Sequence, residues 1–189
     1  MPDPDAARET LIAELREHAL VTGEVTLSSG RTAQYYVDAK RALLRPRAFR
    51  AVGELIAAEA AERDATAVGG MTLGADPLAC AAIGAEGGDG LVAFFVRKER
   101  KEHGLQRWIE GPVLERGARC LVVEDVVTTG GSTVRAIERI REEGLEIAGV
   151  TAVVDRLAGG AEAIERAAEA PYRPLVTIDD LYPDRPDRD

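Results

Sequence analysis

Residues 124 to 133 read Glu-Asp-Val-Val-Thr-Thr-Gly-Gly-Ser-Thr, and they join two chemistries that ordinarily repel. Thr128, Thr129, Ser132 and Thr133 offer hydroxyl donors, while Gly130 and Gly131 let backbone amides come close to a ligand. With the amino terminus of a following helix they suit a phosphate dianion. Glu124 and Asp125 would repel that phosphate, yet ionised carboxylates are strong acceptors for sugar hydroxyls and can hold a hydrated metal ion. A sugar phosphate with vicinal hydroxyls satisfies both halves. Without a ligand, the same residues read as a strand terminus followed by a helix cap. No Gly-Lys-Ser/Thr follows the glycines, so this is not the loop of a nucleotide triphosphatase.

Four other stretches carry chemistry-bearing residues. After Phe94-Phe95-Val96 the chain runs through Arg97, Lys98, Arg100, Lys101, His103 and Arg107, with no apolar periodicity until Trp108 and Ile109, as a long exposed loop does. A charge run is usually a solvated face. In a chain of formal net charge -9, however, it is a local positive excess of the kind a departing pyrophosphate requires. Residues 26 to 40 place Tyr35 and Tyr36 after a Ser-Ser-Gly-Arg turn, where the rings either pack or meet a ligand. Residues 69 to 79, Gly-Gly-Met-Thr-Leu-Gly-Ala-Asp-Pro-Leu-Ala, form a glycine-rich turn between a strand and a helix. Arg156 stands just past an apolar run, as a surface ion pair or as a planar ligand for an acidic group.

The elements that must position these residues follow from apolar periodicity. Asp3 and Pro4 open a helix over 4–20, and Pro46 opens another to about Arg63. Residues 24 to 40 are two β-like runs around a turn. From residue 66 onward, apolar strands (66–70, 90–98, 118–125, 147–155) alternate with helices (76–85, 131–144, 159–169), which predicts an α/β fold with a parallel sheet covered on both faces. Ligands of such sheets bind beyond the carboxyl ends of the strands, where the acid–threonine–glycine stretch lies. A late run at 171–181 contains prolines and suits an edge strand, and the polar tail after it is expected to be mobile. Cys80 and Cys120 sit among apolar residues and are expected to be buried, without metal or disulfide roles.

Bulk properties narrow the function. The chain has 189 residues, enough for one domain with its own core. Its acidic balance argues against nucleic acid as the main partner. The amino terminus is acidic without an apolar core, and no stretch approaches a membrane span, so the expectation is no membrane partner and a cytoplasmic location.

The run from Cys120 to Thr133 resembles the 5-phosphoribosyl 1-diphosphate (PRPP) signature of type I phosphoribosyltransferases, with apolar residues, two acids, two apolar residues and a Thr/Gly-rich loop. Arg97-Lys98-Glu99-x-Lys101-x-His103-Gly104 is similar to the catalytic loop of orotate phosphoribosyltransferases at every specified position. Ser29-Gly30-Arg31 followed by Tyr35-Tyr36 is similar to their orotate-covering hood, and Arg156 falls where they bind orotate.

The resemblance implies a parallel-sheet core flanked by helices, about 46–158, and a small N-terminal hood from about 1–40 joined by the C-terminal segment. It also implies a flexible catalytic loop over about 97–110. Within one domain spanning 1–189, PRPP would be held by Arg97, Lys98, Lys101, His103, Glu124, Asp125, Val126, Val127, Thr128, Thr129, Gly130, Gly131 and Ser132. Lys101, His103 and Asp125 would be catalytic, and Thr128, Arg156, Tyr35 and Tyr36 would bind orotate.

Mg2+ would arrive with PRPP and water near Glu124 and Asp125, without a direct protein ligand. The partner would be a second copy, a homodimer sharing the basic loop between sites. The implied activity makes orotidine 5'-monophosphate and pyrophosphate in pyrimidine biosynthesis. The alternatives are a phosphoribosyltransferase for a purine or another base, and a non-catalytic PRPP-sensing regulator. Two positions depart from the pattern: Ser28 and Gly74 stand where some relatives carry lysine.

Overall fold

The computed structural model describes residues 3–26, 32–100 and 108–188. Helix α1 (Pro4–His18) begins as its sequence predicts, with the Asp3 carboxylate accepting from the Asp5 amide at 3.0 Å and proline in the first turn. It stops short of residue 20 because Leu20 already opens a strand. Strands β1 (Leu20–Thr26) and β2 (Thr32–Val37) pair antiparallel, Leu20 opposite Val37, as the expected hairpin. A short helix α2 (Lys40–Leu43) and the long α3 (Pro46–Glu62) then lead into the sheet.

That sheet contains β3 (Ala67–Met71), β4 (Val92–Val96), β5 (Ile109–Glu110), β6 (Arg119–Val127), β7 (Glu146–Asp155) and β8 (Tyr172–Thr177), in the spatial order β5-β4-β3-β6-β7-β8. Helices α4 (Asp76–Ile83), α5 (Gly131–Glu142) and α6 (Gly160–Ala168) connect the parallel strands, and α7 (Ile178–Leu181) follows β8. The parallel expectation holds for five strands, whereas β5 pairs antiparallel with β4. A two-residue strand has too little periodicity to be read in advance. The proline-bearing run at 172–177 is an edge strand, as expected.

Alternation along β6 divides the core in two. Leu121 and Val123 face a cluster with Leu11, Leu15, Val52, Ile56 and Leu78, from α1, α3 and α4. Cys120 and Val122 face the other, with Phe94, Ile137, Ile140 and Ile164, from β4, α5 and α6. The sheet is thus buried on both sides, which is why its strands are apolar throughout.

Two expectations are corrected. Cys120 is buried but Cys80 is exposed, because Leu78, Ala79, Ala81 and Ala82 take the inward positions of α4. Apolar neighbours in sequence did not reveal the face. The C-terminal segment folds back onto the hairpin instead of trailing away. Tyr182 meets the Tyr35 ring edge-on at 5.7 Å, the Tyr35 hydroxyl donates to Asp187 at 3.0 Å, and Arg185 pairs with Asp179 and Asp187.

Candidate active site

Strand β6 carries both acids at its carboxyl end, and the pleat sends neighbouring side chains to opposite faces. Glu124 turns toward α5, where its Oε2 accepts from Ser132 Oγ at 2.5 Å and Thr133 Oγ1 at 3.1 Å. Burial, reinforced by the neighbouring Asp125 charge, pushes the Glu124 carboxyl up to about 7, although the two hydroxyls pull the other way. The Ser132 and Thr133 hydroxyls, expected to face a phosphate, serve Glu124 instead. Thr128 and Thr129 are exposed and leave the loop's outer surface to their own donors.

Asp125 turns the other way. Its Oδ1 accepts from the Val126 amide at 2.9 Å and its Oδ2 from Lys40 Nζ at 2.6 Å. Burial works against the Lys40 charge, but the hydrogen bond and attraction of Asp125 outweigh it and raise the Lys40 pKa. The turn after β3 lies directly against this carboxylate: a Cβ added at Gly74 would fall 2.6 Å from Asp125 Oδ1. Any side chain there would require the Asp125 carboxylate to move. Lys40 was not singled out by sequence reasoning, since nothing local marks a lysine whose partner lies 85 residues away.

The loop between β6 and α5 is shaped by Gly130, whose φ of 76° lies in the left-handed region. A Cβ there would also stand 2.9 Å from Ile164 Cγ1 and 3.0 Å from Gly160 O, so the loop packs on the start of α6. Val126, Val127, Thr128 and Thr129 lead into this turn, and Gly131 opens α5 with its amides facing the loop.

Arg156 follows β7 and sits beside that loop, its amide donating to Val127 O at 2.9 Å. Its guanidinium carbon lies 5.1 Å from the Tyr35 ring centroid, and its Nε is buried without a partner among the described residues. An unpaired buried donor is costly unless a ligand meets it. The turn is held by Asp155, which accepts from the Leu157 amide at 2.7 Å and the Tyr172 hydroxyl at 2.9 Å. Burial and the Asp155 charge raise the Tyr172 pKa, so the phenol keeps its proton. Of the two tyrosines, Tyr35 is buried beneath Arg156 and Tyr36 is exposed, because adjacent strand residues point to opposite faces.

The two ends of the basic segment are pinned together. The Arg97 amide donates to Trp108 O at 2.9 Å, and Arg97 Nη1 pairs with Glu110 at 2.9 Å. Trp108 is tied to α5 and the residue after it. Its amide donates to Glu143 at 2.7 Å and its indole N–H to Glu142 at 2.6 Å, while Arg139 lies over the ring at 4.2 Å. Lys98 is exposed and, with Thr72, Phe95, Arg97, Glu99 and Glu110, lines an open cleft of about 380 Å³. Lys101, His103 and Ser28 lie outside the described residues.

Among the described residues no three His, Cys, Asp or Glu side chains converge as a metal cage. A carboxylate pair beside a phosphate-sized loop fits a divalent ion carried in by a phosphorylated ligand and its waters. No helix among the described residues is long and apolar enough to cross a membrane.

Comparison with known proteins agrees with this geometry. Residues 46–169 match the family model for a phosphoribosyl transferase domain. An orotate phosphoribosyltransferase of Corynebacterium glutamicum is 52% identical over 93% of this chain and 94% of its own. Its counterpart from Mycobacterium tuberculosis is 48% identical over 96% and 98%. A crystal structure of the Mycobacterium tuberculosis H37Rv orotate phosphoribosyltransferase, in complex with PRPP, superposes with a TM-score of 0.78 at 43% identity, covering 93% of this chain and 98% of that one. One from Aeropyrum pernix gives 0.73 at 26% identity, over 92% and 97%. The chain therefore belongs to the phosphoribosyltransferase family.

Proposed function

We infer that the protein transfers the 5-phosphoribosyl group of PRPP to orotate, giving orotidine 5'-monophosphate and pyrophosphate. The observation that carries the acceptor is Arg156. A planar guanidinium with a buried, unpartnered Nε, seated on Tyr35 and next to the phosphate loop, suits a planar pyrimidine bearing a carboxylate. Relatives at about half identity carrying this activity over nearly their whole length support the same reading.

In this reading the 5-phosphate lies on Val126 to Ser132, and the ribose hydroxyls donate to Glu124 and Asp125. The bond from C1 to the diphosphate breaks as orotate N1 bonds to C1, the electron pair leaves with the diphosphate, and the N1 proton passes to solvent or to a diphosphate oxygen. Orotate is already an anion, so the chain's task is to orient it and to stabilise separating charge. The carboxylates stand where positive charge grows on the ribose. Arg97, Lys98, Lys101 and His103 meet the diphosphate, and closure of their loop over the site excludes water. Mg2+ bound with PRPP would neutralise part of the diphosphate charge, with Glu124 and Asp125 nearest to its waters.

Hairpin β1–β2 and the C-terminal segment form the hood and residues 46–158 the core of one domain. The working unit is a homodimer in the cytoplasm, each copy lending Lys98 and its neighbours to the other's site. Product analysis by mass spectrometry with PRPP and Mg2+ tests the acceptor, using orotate, uracil, hypoxanthine and xanthine in parallel. Turnover of orotate alone is expected; turnover of a purine in its place would overturn the reading.

A further inference from the structure

We propose that Lys40 is a diphosphate-contacting residue: its ammonium keeps one N–H on Asp125 and gives the others to the diphosphate attached to C1. The proposal rests on the PRPP reading above and extends it to a residue outside the basic segment and outside the glycine-rich loops.

Lys40 is fixed in place by the backbone around it. It opens α2 where the hairpin meets the core. The preceding backbone is tied down by the Asp38 amide donating to Ala19 O at 3.0 Å, and Ala39, Ala42 and Leu43 around it are fully buried. The stem is therefore anchored while the head is not enclosed, the Lys40 side chain being 46% exposed. An ion pair that open to solvent contributes little to folding. Stability does not account for a lysine held there.

Glu124 faces α5 and the phosphate loop, and Asp125 faces away from it, toward Lys40 and the turn that carries Gly74. A sugar phosphate whose phosphate sits at the start of α5 and whose hydroxyls reach the two acids must direct its C1 substituent past Asp125. Lys40 brings a cation to that end from the hairpin side, opposite the basic segment. Gly74 offers no side chain there, since a Cβ would overlap the Asp125 carboxylate.

An ammonium has three N–H groups and no acceptor, and Asp125 Oδ2 takes one of them at 2.6 Å. A compact point charge is suited to the several oxygens of a diphosphate. Because it stands on the fixed frame, its contribution is in place before any loop closes.

The test uses the full chain and its Lys40→Ala and Lys40→Arg variants. Calorimetry would give the affinities for PRPP with Mg2+, pyrophosphate with Mg2+, and ribose 5-phosphate. Lys40→Ala is expected to weaken PRPP and pyrophosphate by roughly tenfold or more, the worth of a charge-assisted hydrogen bond, and ribose 5-phosphate by no more than about threefold. Lys40→Arg, which keeps the charge but displaces it, is expected to lose severalfold on pyrophosphate alone, and it carries the test if the alanine variant does not fold. Unchanged pyrophosphate affinity would overturn the proposal, and so would equal losses for ribose 5-phosphate and PRPP, which would mean that Lys40 acts only through Asp125. A wild-type chain that fails to bind PRPP would instead sink the reading beneath it, so the two failures are separable.

Discussion

Replacing Glu124 with glutamine should remove a pH dependence that the wild type carries in both stability and PRPP affinity. Burial raises the Glu124 carboxyl from an ordinary 4.5 to about 7 in the folded chain. Below the lower value both folded and unfolded chains hold the proton, and the neutral side chain is accommodated without penalty. Between the two values the unfolded chain releases its proton while the folded chain keeps it, so stability falls as pH rises, and it levels off above about 7. The interval corresponds to roughly 3 kcal/mol. For a chain of this size that is about 6–12 °C in Tm. Glutamine at this position does not titrate, so the Tm of the wild type minus that of Glu124→Gln should drop by this amount between about pH 4.5 and pH 8, read by calorimetry.

Affinity should move in the opposite direction, because ribose hydroxyls need the ionised acceptor. From about pH 6 to pH 8 the ionised fraction rises about tenfold, and wild-type PRPP affinity relative to the variant should rise with it. Parallel Tm curves and parallel affinities for the two proteins would refute the argument that this carboxyl is protonated near neutrality.

Three further outcomes follow from the geometry. Arg156→Ala should raise the KM for orotate by roughly tenfold or more while leaving that for PRPP within about threefold, since a charged hydrogen-bonding partner is removed from the acceptor alone; steady-state kinetics checks it, and equal changes for both substrates would count against the assignment. Gly130→Ala should cost about 2–3 kcal/mol, because the left-handed backbone and the contact with Ile164 both resist a methyl group, and thermal melts should show a Tm roughly 4–12 °C lower. Trp108, the one tryptophan in the chain, carries a hydrogen bond to Glu142 and lies under Arg139 at the base of the basic segment, so its fluorescence should change when PRPP and Mg2+ bind. An emission spectrum indifferent to both would mean that closure does not reach this anchor.

The parts of the site legible in the sequence are those whose chemistry is local. The stretch from Glu124 to Ser132 offers consecutive amides, hydroxyls and glycine turns, all set by one short run of sequence, and its place between a strand and a helix follows from apolar periodicity. The pleat even separates Tyr35 from Tyr36 once Thr32–Val37 is read as a strand, a step the paired aromatics invite one to skip. Long-range polar pairing is different, because an ionic or hydrogen-bonding partner can come from any element that folding brings near. Asp125 finds Lys40 across 85 positions, Trp108 finds Glu142 across 34, and Asp155 finds Tyr172 across 17. None of these pairs has a spacing that repeats with a helix or a strand, so no periodicity argument reaches them. The acids of the motif identify what the ligand must offer, while the lysine and tyrosine that hold those acids and the Arg156 turn become visible only when the sheet stacks its strands.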